Sequence, residues 1–334
     1  MMWLLKYYLL AFWAQTVLTN QIARNEGIEM NNKCTYSANK RILNCVELEN
    51  VDENIAQFIT SKTQMLFLRN SKKIIFGINH HINPNYSNLV SYQILNSQYF
   101  SVNAGAFLGL PNVQYMEIHG NIWKEINDNM FVGLRNLEVL NLANNQIETV
   151  NRYSFNHLRK LKTLDLSDNA LEIIPSHVFE ALSELESLYI NNNQIKIIQE
   201  NSFLNLPSLN LLYLTNNSME YVDTNEFNKL NNLEHLNINF NKIKTITGQL
   251  SLPKLKFLQI SNNELTELNK EVFEKCPELL SVDLSKNKLG HITEKPFLGL
   301  HKLRHLNLYD NFINIGKFSN VNKYATIIHN SCLN

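Results

Sequence analysis

The 334-residue chain has no surplus of either charge, because 30 Lys and Arg are matched by 30 Asp and Glu. A protein held on nucleic acid or on an anionic membrane by its overall field needs such a surplus, so neither partner is expected. Catalytic signatures are missing as well. There is no G-x-S-x-G elbow, no phosphate-binding loop and no H-E-x-x-H, the local patterns that carry nucleophilic, phosphoryl or metal-assisted chemistry. No enzyme, cofactor or metal is therefore expected. Past residue 19 no stretch has the roughly 20 apolar residues of a membrane helix. The C-terminal KYATIIHNSCLN has no hydrophobic tail of the kind that precedes a lipid anchor.

What the chain does have is one pattern repeated. Leu161 to Ser183, LKTLDLSDNALEIIPSHVFEALS, reads Leu161-x-x-Leu164-x-Leu166-x-x-Asn169-x-Leu171, then Phe179-x-x-Leu182. The Leu164/Leu166 alternation marks a short strand with one buried face. First-position residues recur every 24 residues at Leu89, Val113, Leu137, Leu161, Leu185, Leu209 and Leu233, and after one 22-residue step at Leu255, Leu279 and Leu303. A second column runs Asn121, Asn145, Asn169, Asn193, Asn217, Asn241, Asn263, Asn287 and Asn311. Inside a coil such amides can satisfy backbone groups that would otherwise be buried unpaired. A third column holds Phe107, Phe131, Phe155, Phe179, Phe203, Phe227, Phe273 and Phe297, filling the wide outer edge. Three columns on one period specify a repeat array. The pattern resembles the leucine-rich repeat and predicts an α/β solenoid, a curved horseshoe with a parallel β-sheet on its concave face and loops or short helical turns on its convex face. Each turn buries its core only against its neighbours, so single repeats are not expected to fold.

The ends read differently. Residues 1–19, MMWLLKYYLLAFWAQTVLT, place a positive flank at Lys6 before an apolar run from Tyr7 to Leu18. These are the proportions of a secretory signal peptide, with an uncleaved signal anchor as the alternative. Residues 20–62 lack the repeat and are expected to form an N-terminal cap, stapled by a Cys34–Cys45 disulfide because so small a cap has little core of its own. Residues 63–313 hold about 11 repeats. The first is degenerate, with Leu66 and Leu68 in its strand and Ile74 or Ile75 turned inward. Residues 314–334 form a C-terminal cap or tail, in which Phe318 and Val321 fold over the end.

Cys276 stands in the slot of Leu182 and Leu206 and reads as a buried free thiol. Cys332, near the C-terminus, is either free or an intermolecular link. Adjacent His80 and His81 read as a solvated loop. Secretion makes Asn85-Tyr86-Ser87 and Asn216-Asn217-Ser218 glycosylation sequons, with Asn85 in an expected loop and Asn216 beside a ladder position. The 22-residue turn Leu233–Lys254 lacks its Phe, and Leu250 or Leu252 closes its outer edge.

Function must lie on the surface, and the third, fifth and seventh positions of each unit point out of the concave sheet. Most are small and polar, with Gln93, Glu117 and Asn141 among the fifth positions. The exception is a cluster on consecutive turns: Tyr189, Leu211, Tyr213, His235 and Phe257. Strands spaced about 4.8 Å apart bring these into one patch, and exposed aromatics with polar surroundings are what interfaces use as anchors. Tyr115 with His119, and His305 with Tyr309, are secondary candidates. Asp165 and Asp283 fall in equivalent slots five turns apart, too distant for a carboxylate pair.

The columns are similar to the 24-residue extracellular class in Toll-like receptor ectodomains and Slit-type proteins. The front end, a signal peptide, then C-T-Y-S-A-N-K-R-I-L-N-C from Cys34 to Cys45, then F-L-R-N-S-K-K-I-I, resembles the secreted leucine-rich immune proteins of mosquitoes and related insects. That resemblance implies recognition of pathogens or complement-like opsonins in haemolymph, often as disulfide-linked complexes. The cysteine-rich segment and coiled coil of longer members are not seen after the repeats, which leaves Cys332 to serve. The expectation is a secreted, non-enzymatic protein whose partner is another extracellular protein or a microbial surface molecule, with no membrane span in the mature chain. The alternative is an adhesive matrix protein or a soluble receptor decoy.

Overall fold

A computed structural model describes residues 27–31, 33–51, 53–78, 80–290, 293–313, 321 and 325–328. The expected leader, Phe318 and Cys332 lie outside the described residues. Each Leu-x-Leu unit becomes a strand because alternate side chains drop into the coil: Thr163–Asp165, Ser187–Tyr189 and Leu211–Tyr213 each bury only their middle residue. Fifteen strands join one sheet in chain order. The first three, Gly27–Asn31, Cys34–Ser37 and Ile42–Val46, pair antiparallel. From Ile42–Val46 onward every pairing is parallel, to Thr326–Ile328. Equivalent residues of successive turns therefore stand side by side, as in the row Thr163, Ser187, Leu211, His235, Phe257. Cys34 lies opposite Cys45 and the two are joined by a disulfide.

Short parallel strands on the far side of the coil form further ladders, for instance Ile173–Ile174 with Ile197–Ile198 and Tyr221–Asp223 with Thr245–Thr247. Helix is scarce: the described residues contain one α-turn, Thr224–Phe227, and three 3₁₀ turns. The interior is a stack of equivalent layers. Phe131, Phe155, Phe179 and Phe203 form a spine with ring centroids 5.8 to 6.3 Å apart. In the 22-residue turn both Leu250 and Leu252 are buried in place of the missing Phe. Cys276 is a buried free thiol whose Sγ lies 3.4 Å from the Leu250 carbonyl oxygen.

The Asn column is bonded throughout. Asn193 is representative: its Oδ1 accepts from the Leu171 N–H at 3.0 Å, and its Nδ2 donates to the Leu166 carbonyl of the preceding turn at 3.0 Å. Near the front the donor differs, since Asn121 and Asn145 accept from the Ser97 and Asn121 N–H groups. One residue earlier in every turn the backbone enters the left-handed region, at Asn70, Asn96, Gly120, Asn144, Asp168, Asn192, Asn216, Phe240, Asn262, Lys286 and Asp310. Asn, Asp and Gly adopt that conformation at little cost. Phe240, with φ 55°, and Lys286, with φ 52°, do not belong to that group.

The expectation of a solvated loop at His80 and His81 is overturned. Both are buried, His81 completely. The His81 Nδ1 lies 2.6 Å from the Ala106 carbonyl, which can only accept, so Nδ1 carries the proton; Nε2 then accepts from the Tyr92 hydroxyl at 3.3 Å. Phe76, Tyr86 and Phe107 surround the ring at 4.7 to 5.6 Å. Burial, with His80 adding to it, holds the imidazole down at about 3 against the weaker opposing pull of the Ala106 bond. Gly109 makes room, since a Cβ there would stand 1.5 Å from the His81 carbonyl oxygen. In the same degenerate turn Ile74 points inward and Ile75 outward.

Candidate functional site

The row and column positions set out above bring Tyr189, Leu211, Tyr213, His235 and Phe257 onto adjacent strands of the concave sheet. All five are half-buried. They form two stacks. Tyr189 lies against Tyr213 with centroids 5.3 Å apart and planes 27° apart. His235 lies against Phe257 at 4.5 Å and 16°. Leu211 sits between the stacks, beside Tyr213 on its own strand and His235 on the next. Burial raises the Tyr213 hydroxyl above its ordinary pKa and lowers the His235 imidazole, so both are neutral near pH 7. The patch is therefore apolar with neutral polar tips.

Toward the front the same face is polar and tighter than its columns imply. Gln93 and Glu117, expected to face solvent, are only 6% and 4% exposed. The Tyr115 hydroxyl donates to Glu117 Oε2 at 3.0 Å, and Asn141 Nδ2 donates to Oε1 at 3.3 Å. Burial raises the carboxyls of Glu117 and Asp165 and the Tyr115 phenol. Tyr115 is thus held by a bond within the sheet, and His119 is half-buried on the same strand. At the other end His305 and Tyr309 are exposed. Among the described residues no group of three or more His, Cys, Asp or Glu could hold a metal ion.

The two sequons differ. Asn85 lies in the 3₁₀ turn Pro84–Asn88, half-buried, and its Nδ2 donates to the Ile59 carbonyl at 2.7 Å. Asn216 is exposed, and its Nδ2 donates to the Asn192 side chain at 3.0 Å. Phe240 was not singled out in the sequence. Its signal was available as the one aromatic in a column otherwise made of Asn, Asp, Gly and Lys.

With the geometry in place, a family model described as leucine rich repeat matches residues 87–147, 135–195, 183–243 and 253–313. The chain belongs to the leucine-rich repeat family. No curated protein matches the chain significantly. Among solved structures, the leucine-rich repeat solenoid is similar to a chain of the octameric complex of latrophilin 3, Unc5D and FLRT2, in which FLRT2 is the leucine-rich repeat component. That match is 23% identical with a TM-score of 0.66, over 76% of this chain and 77% of the other. It is also similar to the APL1 leucine-rich repeat domain, at 20% identity and a TM-score of 0.64 over 86% and 71% of the two chains. A third likeness is to TLR13 in complex with a single-stranded RNA, at 21% identity and a TM-score of 0.53 over 83% of this chain and 51% of that one. At these identities the likeness is one of fold. Among the described residues no helix is long and apolar enough to cross a membrane.

Proposed function

We propose that this leucine-rich repeat protein is a secreted, non-enzymatic recognition module that holds another extracellular protein on its concave face, with Tyr189, Leu211, Tyr213, His235 and Phe257 as anchors. The observation that carries the reading is the pair of ring stacks, with Leu211 next to Tyr213 on its strand and beside His235 on the following one. Anchors of this kind, apolar and rimmed by polar residues, dominate protein interfaces. The rings turn much of their faces toward each other, so a partner meets edges, hydroxyls and the Leu211 methyls. That favours the side chains of a protein over a sugar, which packs on an open ring face. FLRT2 occurs in an assembly with other proteins, which supports the same use of the scaffold. TLR13 binds RNA in its complex, but the balance of 30 basic and 30 acidic residues here argues against that ligand. The leader-like N-terminus and the Cys34–Cys45 bridge support secretion, since disulfides persist in oxidising compartments.

A role in innate immunity follows from the likeness of the front end to secreted insect immune proteins; the competing role is adhesion or receptor decoy. Unchanged expression after microbial challenge would favour the latter. To test the face, a photo-crosslinking residue is placed at Tyr213 and, separately, at Lys270 on an exposed surface, and the secreted protein is incubated with the source's extracellular fluid. We expect one protein to be captured at Tyr213 only, with capture lost on adding Tyr189→Ala and Phe257→Ala while the melting curve is kept. Equal capture at both positions removes the patch. Cys332 supplies the link in a disulfide-bonded complex. A doubled band on non-reducing gels that disappears in Cys332→Ser supports it, and a monomer in both lanes removes it.

A further inference from the structure

The column of left-handed residues contains two members outside Asn, Asp and Gly, Phe240 and Lys286, and Phe240, the one aromatic, lies a turn beyond the sequon at Asn216. Phe240 has φ 55° and is 54% exposed. A bulky side chain in this region is strained, and strain that adds nothing to the core points to a use. Asn216 occupies the same place one turn earlier, with φ 55°. The two turns are tied directly beside these residues, since the Asn216 N–H donates to the Asn239 carbonyl at 3.0 Å. Side-chain amides link this column on the other flank: Asn192 Nδ2 donates to Asp168 at 2.9 Å and Asn216 Nδ2 to Asn192 at 3.0 Å. At Phe240 the amide line stops, because its ring has neither donor nor acceptor.

We infer that Asn216 carries an N-linked glycan and that Phe240 is the platform on which its first sugar rests. The amide Nδ2 has two N–H bonds and Asn192 occupies one, which leaves the other position for the glycosidic bond. Transfer would come from a lipid-pyrophosphate-linked oligosaccharide in the secretory pathway. The Nδ2–C1 bond forms, the C1–O bond to pyrophosphate breaks, the lipid pyrophosphate leaves with the electron pair, and the amide nitrogen loses one proton. An N-acetylglucosamine ring presents a face of axial C–H groups, which pack on the negative face of an aromatic ring. A ring held out from the next turn, about 4.8 Å along the solenoid, is placed to receive it. The strain at Phe240 is then offset by a contact that forms only when the glycan is present.

This inference rests on the secretion reading, and the test separates the two. The full chain is expressed in eukaryotic cells as wild type, Ser218→Ala, Phe240→Asn and the double variant. Ser218→Ala removes the sequon and keeps Asn216, and Phe240→Asn creates no new sequon. Intact masses of protein from the medium should differ by one glycan between wild type and Ser218→Ala. In thermal melts Phe240→Asn should lower Tm by roughly 2 °C when the glycan is present and raise it by a similar amount when it is absent. Phe240→Tyr should behave as wild type. Equal masses overturn the inference, and so does a Phe240→Asn effect of the same sign in both backgrounds. Retention in the cytosol with Cys34 and Cys45 alkylatable overturns the secretion reading, and the glycan with it.

Discussion

Lowering the pH should loosen the front of the solenoid, and His81 is the reason. Unfolded, its imidazole titrates near 6.5; folded, it stays neutral down to about 3. A group whose folded pKa is depressed in this way contributes stability that is fully present above the unfolded value and is lost as pH falls toward the folded one. Below pH 6.5 the unfolded chain binds the proton and the native chain refuses it. Between pH 7.5 and 5.0 the loss is about 2 kcal/mol, and it continues to on the order of 4 kcal/mol at pH 3. Glu117 and Asp165, with raised carboxyls, act with the opposite sign, so a single curve is not enough.

The comparison is with His81→Asn, which keeps a donor for the Ala106 carbonyl and does not titrate. Urea midpoints are read at pH 7.5, 6.5 and 5.0 from Trp123 emission. Trp123 is buried 5.3 Å from the Phe100 ring and 6.0 Å from that of Phe131, and the other two tryptophans, Trp3 and Trp13, lie in the expected leader. Wild type should lose about 2 kcal/mol more than the variant over this range. Parallel curves would refute the reasoning.

Three further outcomes follow from the layers. Phe155→Ala opens the spine between Phe131 and Phe179 and should cost about 3–5 kcal/mol in urea denaturation. Asn241→Ala removes the acceptor for the Met219 N–H and the donors to the Leu214 and Ile238 carbonyls, at a cost of about 1–3 kcal/mol by the same assay. Cys276, buried and with its thiol pushed up to about 11 chiefly by burial, should resist iodoacetamide at pH 8 in the native protein and react fully in urea. Native labelling of Cys276 at the rate of a free thiol would contradict its placement.

The repeat architecture was legible because its cause is periodic. Leu164 and Leu166 enter the coil by strand alternation, and the fixed step of their columns gives the parallel register directly. The scarcity of helix was less visible. Convex segments such as Ile173–Ile174 could be read as loop or helical turn, and their pairing with the next turn emerges only when the layers are stacked. His81 escaped for the opposite reason. It sits where the pattern is degenerate, and its burial depends on Ala106, Tyr92 and Gly109, which lie 25, 11 and 28 residues away in sequence with no period to announce them. On the candidate face, the columns place five large side chains on neighbouring strands, and the structure adds how they pair. Tyr189 on Tyr213 and His235 on Phe257 are matters of rotamer, which no spacing encodes. The inward turn of Asn85 is likewise set by the Ile59 carbonyl of a preceding segment.

The short turn carries a lesson about where this scaffold accepts change. Two residues are missing between Leu233 and Lys254, yet His235, Leu236 and Asn237 still pair with Phe257, Leu258 and Gln259 as every other strand does. Asn263 still accepts from the Ile243 N–H at 3.0 Å. The whole deletion is taken up on the outer arc, where Leu250 and Leu252 close the gap. The back of the coil is thus mechanically decoupled from its front. A tag, a fluorophore loop or an inherited length change placed on the outer arc should leave the spacing of the inner side chains as it was, so the two faces can diversify independently.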